Sequence, residues 1–199
     1  DWPATGCMPA GLPQAPGLYA PEREHDSCGI GFIANIKNKK SHELVRQGIQ
    51  ILVNLDHRGA VGADPLAGDG AGILIQIPDG FFRSEQESLG LILPPIGDYG
   101  VGVVFMPRDK DHTTVCQEAI ERTARAEGQE VLGWREVPVN NEWLGVSVKP
   151  IEPVIRQIFI KRGANCADTD AFERKLYVIR KQAHHVVWDA GLEDNGHFY

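Results

Sequence analysis

The sharpest boundary in the sequence lies at residues 24–28. Ahead of it, residues 1–23 read "DWPATGCMPAGLPQAPGLYAPER" and hold five of the chain's 13 prolines, Pro3, Pro9, Pro13, Pro16 and Pro21, with neither helical nor strand periodicity. Proline lacks the donor that a ladder or a helix interior requires, so this stretch is an extended leader and the packed fold has to be built from residues beyond it. The next segment is "EHDSCGIGFIANI", a charged turn and then a run that reads as a strand, with Cys28 at its first position and Gly29 and Gly31 leaving room beside it. A thiol placed there is either a buried spacer, the usual state of a free cysteine, or a nucleophile.

The remainder alternates helical and strand patterns. Ser41 can N-cap "HELVRQGIQILVNL", where Leu44, Gly48, Ile51, Leu52 and Leu55 share one face. The glycine-rich loop "DHRGAVGADPLAGDGAG" then delivers the chain into "ILIQIP", a second expected strand, succeeded by a short helical segment and a proline-containing loop. Further strands are expected at "YGVGVVFMP", "EVLGWREVPV" and "PVIRQIFIKR", and a helix at "HTTVCQEAIERTARAEG" ending at Gly128. A long helix over 168–191 carries Phe172, Leu176, Ile179, Ala183 and Val187 on its apolar face and stops at Gly191. Strands and helices are mixed, with no internal repeat, which is an α+β pattern.

Composition narrows the function classes. With 199 residues, 42% hydrophobic and 24% charged, the chain can form one globular domain with a sizeable core. A net charge of -7 and the absence of any block of like charge leave no basic face for a phosphate backbone, so no nucleic-acid partner is expected. No apolar run approaches the roughly 20 residues that span a bilayer, and the N-terminus lacks a secretory pattern, so no membrane is expected and the chain reads as soluble and cytoplasmic. Cys7, Cys28, Cys116 and Cys166 form no CxxC pair, which argues against a zinc ribbon or a thioredoxin-type site; free thiols and no metal are expected. The first residue is Asp1, and the closing "HFY" reads as the start of a strand, so the chain looks like a piece of something larger.

Two motifs carry the chemistry. If the bond between Ser27 and Cys28 is cut, the freed α-amino group lies within reach of its own thiol, and its unperturbed pKa near ~8 suits general-base work. The leader, 1–27, then acquires a purpose as a propeptide. The second motif, "LDHRGAVGADPLAGDGAGI", brings His57, Arg58 and Gly59 about thirty residues beyond the cysteine and closes on Gly68, Asp69, Gly70 and Gly72. Taken alone it is a glycine-rich connection with a solvated arginine. It is not a phosphate-cradling loop, because the Lys-Ser/Thr pair is missing and the glycines precede an expected strand rather than a helix. Adjacent His184 and His185 face different sides of a helix and make no metal pair, Cys116 and Cys166 have no chemical partner nearby in sequence, and Trp134, Trp143 and Trp188 read as core or interdomain contacts.

"CGIGF", "LDHRGA" and "GDGAGI", with "GLYAPEREHDS" immediately upstream, resemble the start of glutamate synthase large subunits and, more broadly, the glutamine amidotransferases with an N-terminal cysteine nucleophile. The resemblance runs from about Gly17 to the end of the chain and takes in "GWREVPV" and "ERKLYVIRK". It implies the four-layer αββα sandwich of N-terminal-nucleophile hydrolases, incomplete in this fragment, with the domain spanning 28–199. It implies that Cys28 attacks the side-chain amide of L-glutamine, with Arg58, Gly59, Gly29 and Asp69 supporting the pocket. The family's Asn-Gly-Glu oxyanion segment and Arg-Phe-Ser-Thr glutamine clamp do not occur in these 199 residues and are expected beyond Tyr199, so the fragment alone is expected to be inactive. FMN and an iron–sulfur cluster are implied elsewhere in the complete enzyme, none in this fragment. The implied partners are the remaining synthase domains and a reductase subunit or ferredoxin, and a plant protein would reside in the plastid stroma. The rivals are another amidotransferase of the same fold, such as the purine-pathway or glucosamine-phosphate enzyme, and a non-catalytic scaffold that binds a partner protein.

Overall fold

A computed structural model describes residues 29–59, 64–68 and 70–192. The leader, Cys28, Asp69 and residues 193–199 lie outside the described residues. The chain divides into two compact units, Asp1–Ala60 with Gly68–Ile73, and Val61–Ala67 with Leu74–Tyr199.

The larger unit is built on three antiparallel strands. β1 (Tyr99–Met106) and β2 (Glu130–Glu136) flank β3 (Val154–Lys161), with Tyr99 and Glu130 both opposite Lys161. Because side chains alternate along a strand, β3 serves two cores. Ile158 and Ile160 join Val104 and Met106 of β1 on one face, under helices α3 (Lys110–Ala126) and α4 (Thr169–Asp189), which contribute Cys116, Ala119, Ile120, Phe172, Ile179 and Val187. Phe159 points the other way and meets Tyr99, Leu91, Leu93 and Phe82 of α2 (Asp79–Leu89), its ring edge-on to Phe82 at 5.0 Å. An irregularity between Val131 and Gly133 shifts the register of β2, so that Val131 and Trp134, three residues apart, pack on the same core.

Polar ties hold the layers. Tyr99 Oη donates to Asp79 Oδ1 at 2.8 Å, and Asp79 Oδ2 accepts from Arg83 Nε at 2.9 Å, pinning the start of α2 to β1. Burial first, then the bond to Asp79, pushes the Tyr99 hydroxyl up to about 12. At the end of α3, Glu127 takes Lys175 Nζ at 2.5 Å and Gln182 Nε2 at 2.9 Å, both from α4. These bonds hold the Glu127 carboxyl below its ordinary range.

The helix boundaries obey local chemistry. Asp168 caps α4 by accepting from Ala171 N at 2.7 Å, and Gly191, at φ +69°, stands just past its end as expected. Helix α3 starts at Lys110, two residues earlier than its apolar pattern suggests, because Asp109 caps it through His112 N at 2.9 Å. Phe172, Ile179, Ala183 and Val187 are buried as the periodicity requires. Cys116 and Cys166 are buried free thiols, and desolvation pushes Cys116 up to about 11, which makes it inert. Trp134 is partly buried and bonds Glu121 Oε1 at 2.9 Å, whereas Trp143 and Trp188 are exposed and belong to neither described core.

Two expected strands are corrected. Residues 29–36 and 73–78 carry no ladder, and the ladders among the described residues are those of β1 and β2 with β3. Alternating apolar residues give a segment the faces of a strand, but its backbone donors and acceptors need a neighbouring strand in register, and among the described residues none pairs with these two segments.

Candidate active site

The smaller unit contains the motif segments, gathered around one helix. α1 (His42–Asn54) begins where Ser41 accepts from Leu44 N at 3.4 Å, as the sequence indicates. Its neighbours approach through two glycines. A Cβ on Gly31 would lie 2.5 Å from Ile51 Cγ2, and one on Gly48 would lie 2.9 Å from Ile73 Cδ1. The segment that leaves Cys28 therefore rests on the last turns of α1, and the segment that leaves the GDGAG loop rests one turn earlier.

Arg58 is placed by its backbone in the same neighbourhood. Leu55 closes α1 by donating to the Ile51 carbonyl at 3.0 Å, and a 3-10 turn, Asp56–Arg58, comes directly after it. Gly59 N donates to Asp56 O at 3.0 Å, and His57 Nδ1 donates to the Asn54 carbonyl at 3.0 Å. Gly29 and Gly59 are exposed, and Gly70 adopts φ +83°, a conformation that only glycine takes without strain. One helix thus brings the neighbourhoods of "CGIGF", "HRGA" and "GDGAG" together, although Cys28 and Asp69 themselves lie outside the described residues. No group of three His, Cys, Asp or Glu suited to a metal occurs among the described residues. Nor is any described helix long and apolar enough to cross a membrane.

The sequence reading missed Asp64. Its Oδ2 accepts from Ser147 Oγ at 2.6 Å and Ser147 N at 3.2 Å, and its Oδ1 from Leu66 N at 3.0 Å. The three donors hold this carboxyl below its ordinary range, the Ser147 hydroxyl foremost. An Asp-Pro pair in a glycine-rich loop signals a turn, but nothing in the sequence points to a serine 83 residues away.

The family model for class-II glutamine amidotransferases matches residues 28–199, starting at the cysteine. The chain belongs to the class-II glutamine amidotransferases. Among relatives of this amidotransferase, the glutamate synthase [NADPH] large chain of Bacillus subtilis (strain 168) is 48% identical over 182 residues, 92% of this chain and 12% of the relative. The glutamate synthase [NADH] of Schizosaccharomyces pombe is 42% identical over 88% of this chain and 9% of its own length. Ferredoxin-dependent glutamate synthase 2 of Synechocystis is 40% identical over 79% and 10%. The amidotransferase segment therefore spans about a tenth of the length of these relatives. Its mixed α/β architecture with a small antiparallel sheet is consistent with an amidotransferase of this class.

Proposed function

We propose that this chain is the glutaminase part of a glutamate synthase. The observation that carries the reading is the start of the family match at Cys28, directly after a proline-rich leader, in a chain whose relatives are glutamate synthases. Cleavage of the Ser27–Cys28 bond removes residues 1–27 as a propeptide and frees the α-amino group of Cys28. That amine takes the thiol proton, and the thiolate attacks the side-chain amide carbon of L-glutamine. The tetrahedral intermediate collapses to a γ-thioester, and the amide nitrogen leaves as ammonia carrying the proton. Water then attacks the thioester, releasing glutamate and restoring the thiol. Arg58, Gly59, Gly29 and Asp69 shape the pocket around this centre.

In the complete enzyme the ammonia passes to 2-oxoglutarate, and the product is reduced to a second glutamate with FMN and an iron–sulfur cluster held by other domains. A reductase subunit or ferredoxin supplies the electrons, in the cytoplasm or, in a plant, the plastid stroma. The fold of the complete domain is the four-layer αββα sandwich, to which the described sheet, with α3 and α4 on one face, contributes one half. Exposed apolar residues along the two segments without a ladder, among them Ile30, Phe32 and Leu74, support the presence of a second sheet.

The test is Cys28→Ala in the full-length gene product. Glutamine-dependent glutamate formation disappears while ammonia-dependent formation persists, and mass spectrometry of the native protein finds a chain beginning at Cys28. Retention of residues 24–27 ahead of Cys28 in the native protein would leave the thiol without its base and favour the scaffold reading.

A further inference from the structure

Helix α4 turns its apolar stripe to the core and a different kind of surface to the outside. Asp170 and Glu173 precede Arg174, and Asp189 follows Trp188, but between Arg174 and Trp188 there is no carboxylate, in a chain that holds 27 acidic against 20 basic residues. Lys175 pairs with Glu127. Arg174, Arg180 and Lys181 are exposed and form no ion pair among the described residues. The helix cannot partner Arg180 and Lys181 itself, because the positions three and four residues from them are Leu176, Tyr177, Val178, Ala183, His184 and His185. Two large rings share this side of the helix. Tyr177 and Trp188, about three turns apart, are each 59% exposed. The Arg180 guanidinium stands 5.7 Å from the centre of the Tyr177 ring, and the His184 and Trp188 rings lie 6.0 Å apart, so both aromatics are held by a neighbour on the helix. A helix face that meets only water mixes both signs of charge and carries few aromatics, whereas Trp, Tyr and Arg are the residues that anchor protein interfaces.

We propose that the outer face of α4, formed by Arg174, Tyr177, Arg180, Lys181 and Trp188, docks a carboxylate-bearing surface of the synthase polypeptide outside this segment. Two observations select that occupant. Three cations without an acidic partner are complementary to carboxylates, which fix orientation, while the two rings supply the apolar area. The segment spans about a tenth of the length of its relatives, so the polypeptide beyond it offers most of the surface that could meet this face. The inference rests on the reading of this chain as part of a glutamate synthase, and it goes further in naming the surface through which that part is joined to the rest. Rings already held in place lose little freedom on docking, which favours them as anchors.

The test uses the full-length gene product. Hydroxyl-radical footprinting, read residue by residue by mass spectrometry, finds Tyr177 and Trp188 oxidised severalfold more slowly than rings 59% exposed would be. A zero-length carbodiimide cross-linker joins Lys181 Nζ to an Asp or Glu beyond residue 199 of the same chain, and a mixture of isotope-labelled and unlabelled protein separates such links from links between copies. Arg174→Glu combined with Arg180→Glu leaves Lys181 in place as reporter; its cross-link is lost and oxidation of Trp188 rises severalfold. Arg174→Lys with Arg180→Lys keeps both the link and the protection. The footprint of the unaltered protein needs no variant, so a charge reversal that fails to fold does not shelter the proposal. Trp188 oxidised at the open rate in the unaltered protein, protection unmoved by the charge reversal, or Lys181 linked only to another copy or to residues 1–199 overturns the docking surface. A gene product without glutamate synthase activity, or one that ends near Tyr199, instead overturns the proposed function, whereas an active full-length synthase with Trp188 open overturns the docking surface alone.

Discussion

Helices α1 and α4 start alike and end in different circumstances. Each is amphipathic and opens on a side-chain cap, Ser41 for α1 and Asp168 for α4. Yet α4 buries Phe172, Ile179, Ala183 and Val187, while α1 buries none of its residues. The difference lies in what each helix meets. The apolar stripe of α4 lies against β3 and α3, whose own buried residues close the core around it. The segments against α1 touch it through Gly31 and Gly48, and their other side chains remain in the open, Ile30 at 94% and Phe32 at 93% exposure. Apolar surface left in water contributes no burial free energy, and among the described residues the buried core lies in the larger unit.

The contrast can be broken most forcefully at Phe159, fully buried and edge-on to Phe82. Phe159→Ala costs about 3–5 kcal/mol of stability through the cavity it leaves, read as a lower denaturant midpoint, whereas Phe32→Ala leaves the midpoint in place. Equal effects at the two positions would mean that both units hold comparable cores.

Two glycine substitutions sharpen the comparison at lower amplitude. At Gly100 a new methyl would collide with Leu176, a partly buried member of the main core, and Gly100→Ala costs about 1–3 kcal/mol in thermal or denaturant unfolding. At Gly48 the methyl would meet only the tip of Ile73, which is 44% exposed and free to turn aside. Helix propensity then offsets the crowding, and Gly48→Ala changes stability by less than about 1 kcal/mol.

The smallest effect is electrostatic. The Glu127 carboxyl is depressed by Lys175 and Gln182, so its stabilising contribution is present above the unfolded-state pKa and is lost as pH falls through the lower folded value. Amide exchange in α4 should therefore quicken on acidification, and Lys175→Met should flatten that response. An unaltered acid response in the variant would remove Glu127 from the ties between α3 and α4.

Much of this was legible from local chemistry. The cap at Ser41, the stop at Gly191 and the apolar faces of α1 and α4 act within a few residues, so periodicity and end signals place them. β1, β2 and β3 also stand where the sequence puts them. The same pattern failed at 29–36 and 73–78 because a strand is completed by its neighbour's hydrogen bonds, which no periodicity contains. The motifs named Cys28, Arg58, Gly59, Gly29 and Asp69, and the fold gathers their neighbourhoods around α1. Asp64 was invisible, since its meaning depends on Ser147 and on a missing side chain at Gly145.

The sequence by itself determined the helices, the cap at Ser41, the three paired strands and the family, because each rests on residues close together in the chain or on a motif read whole. The tertiary structure alone decided which apolar runs found a partner and that the Asp64 carboxylate meets Ser147, because ladder bonds and long-range contacts form only after the chain has folded distant segments together.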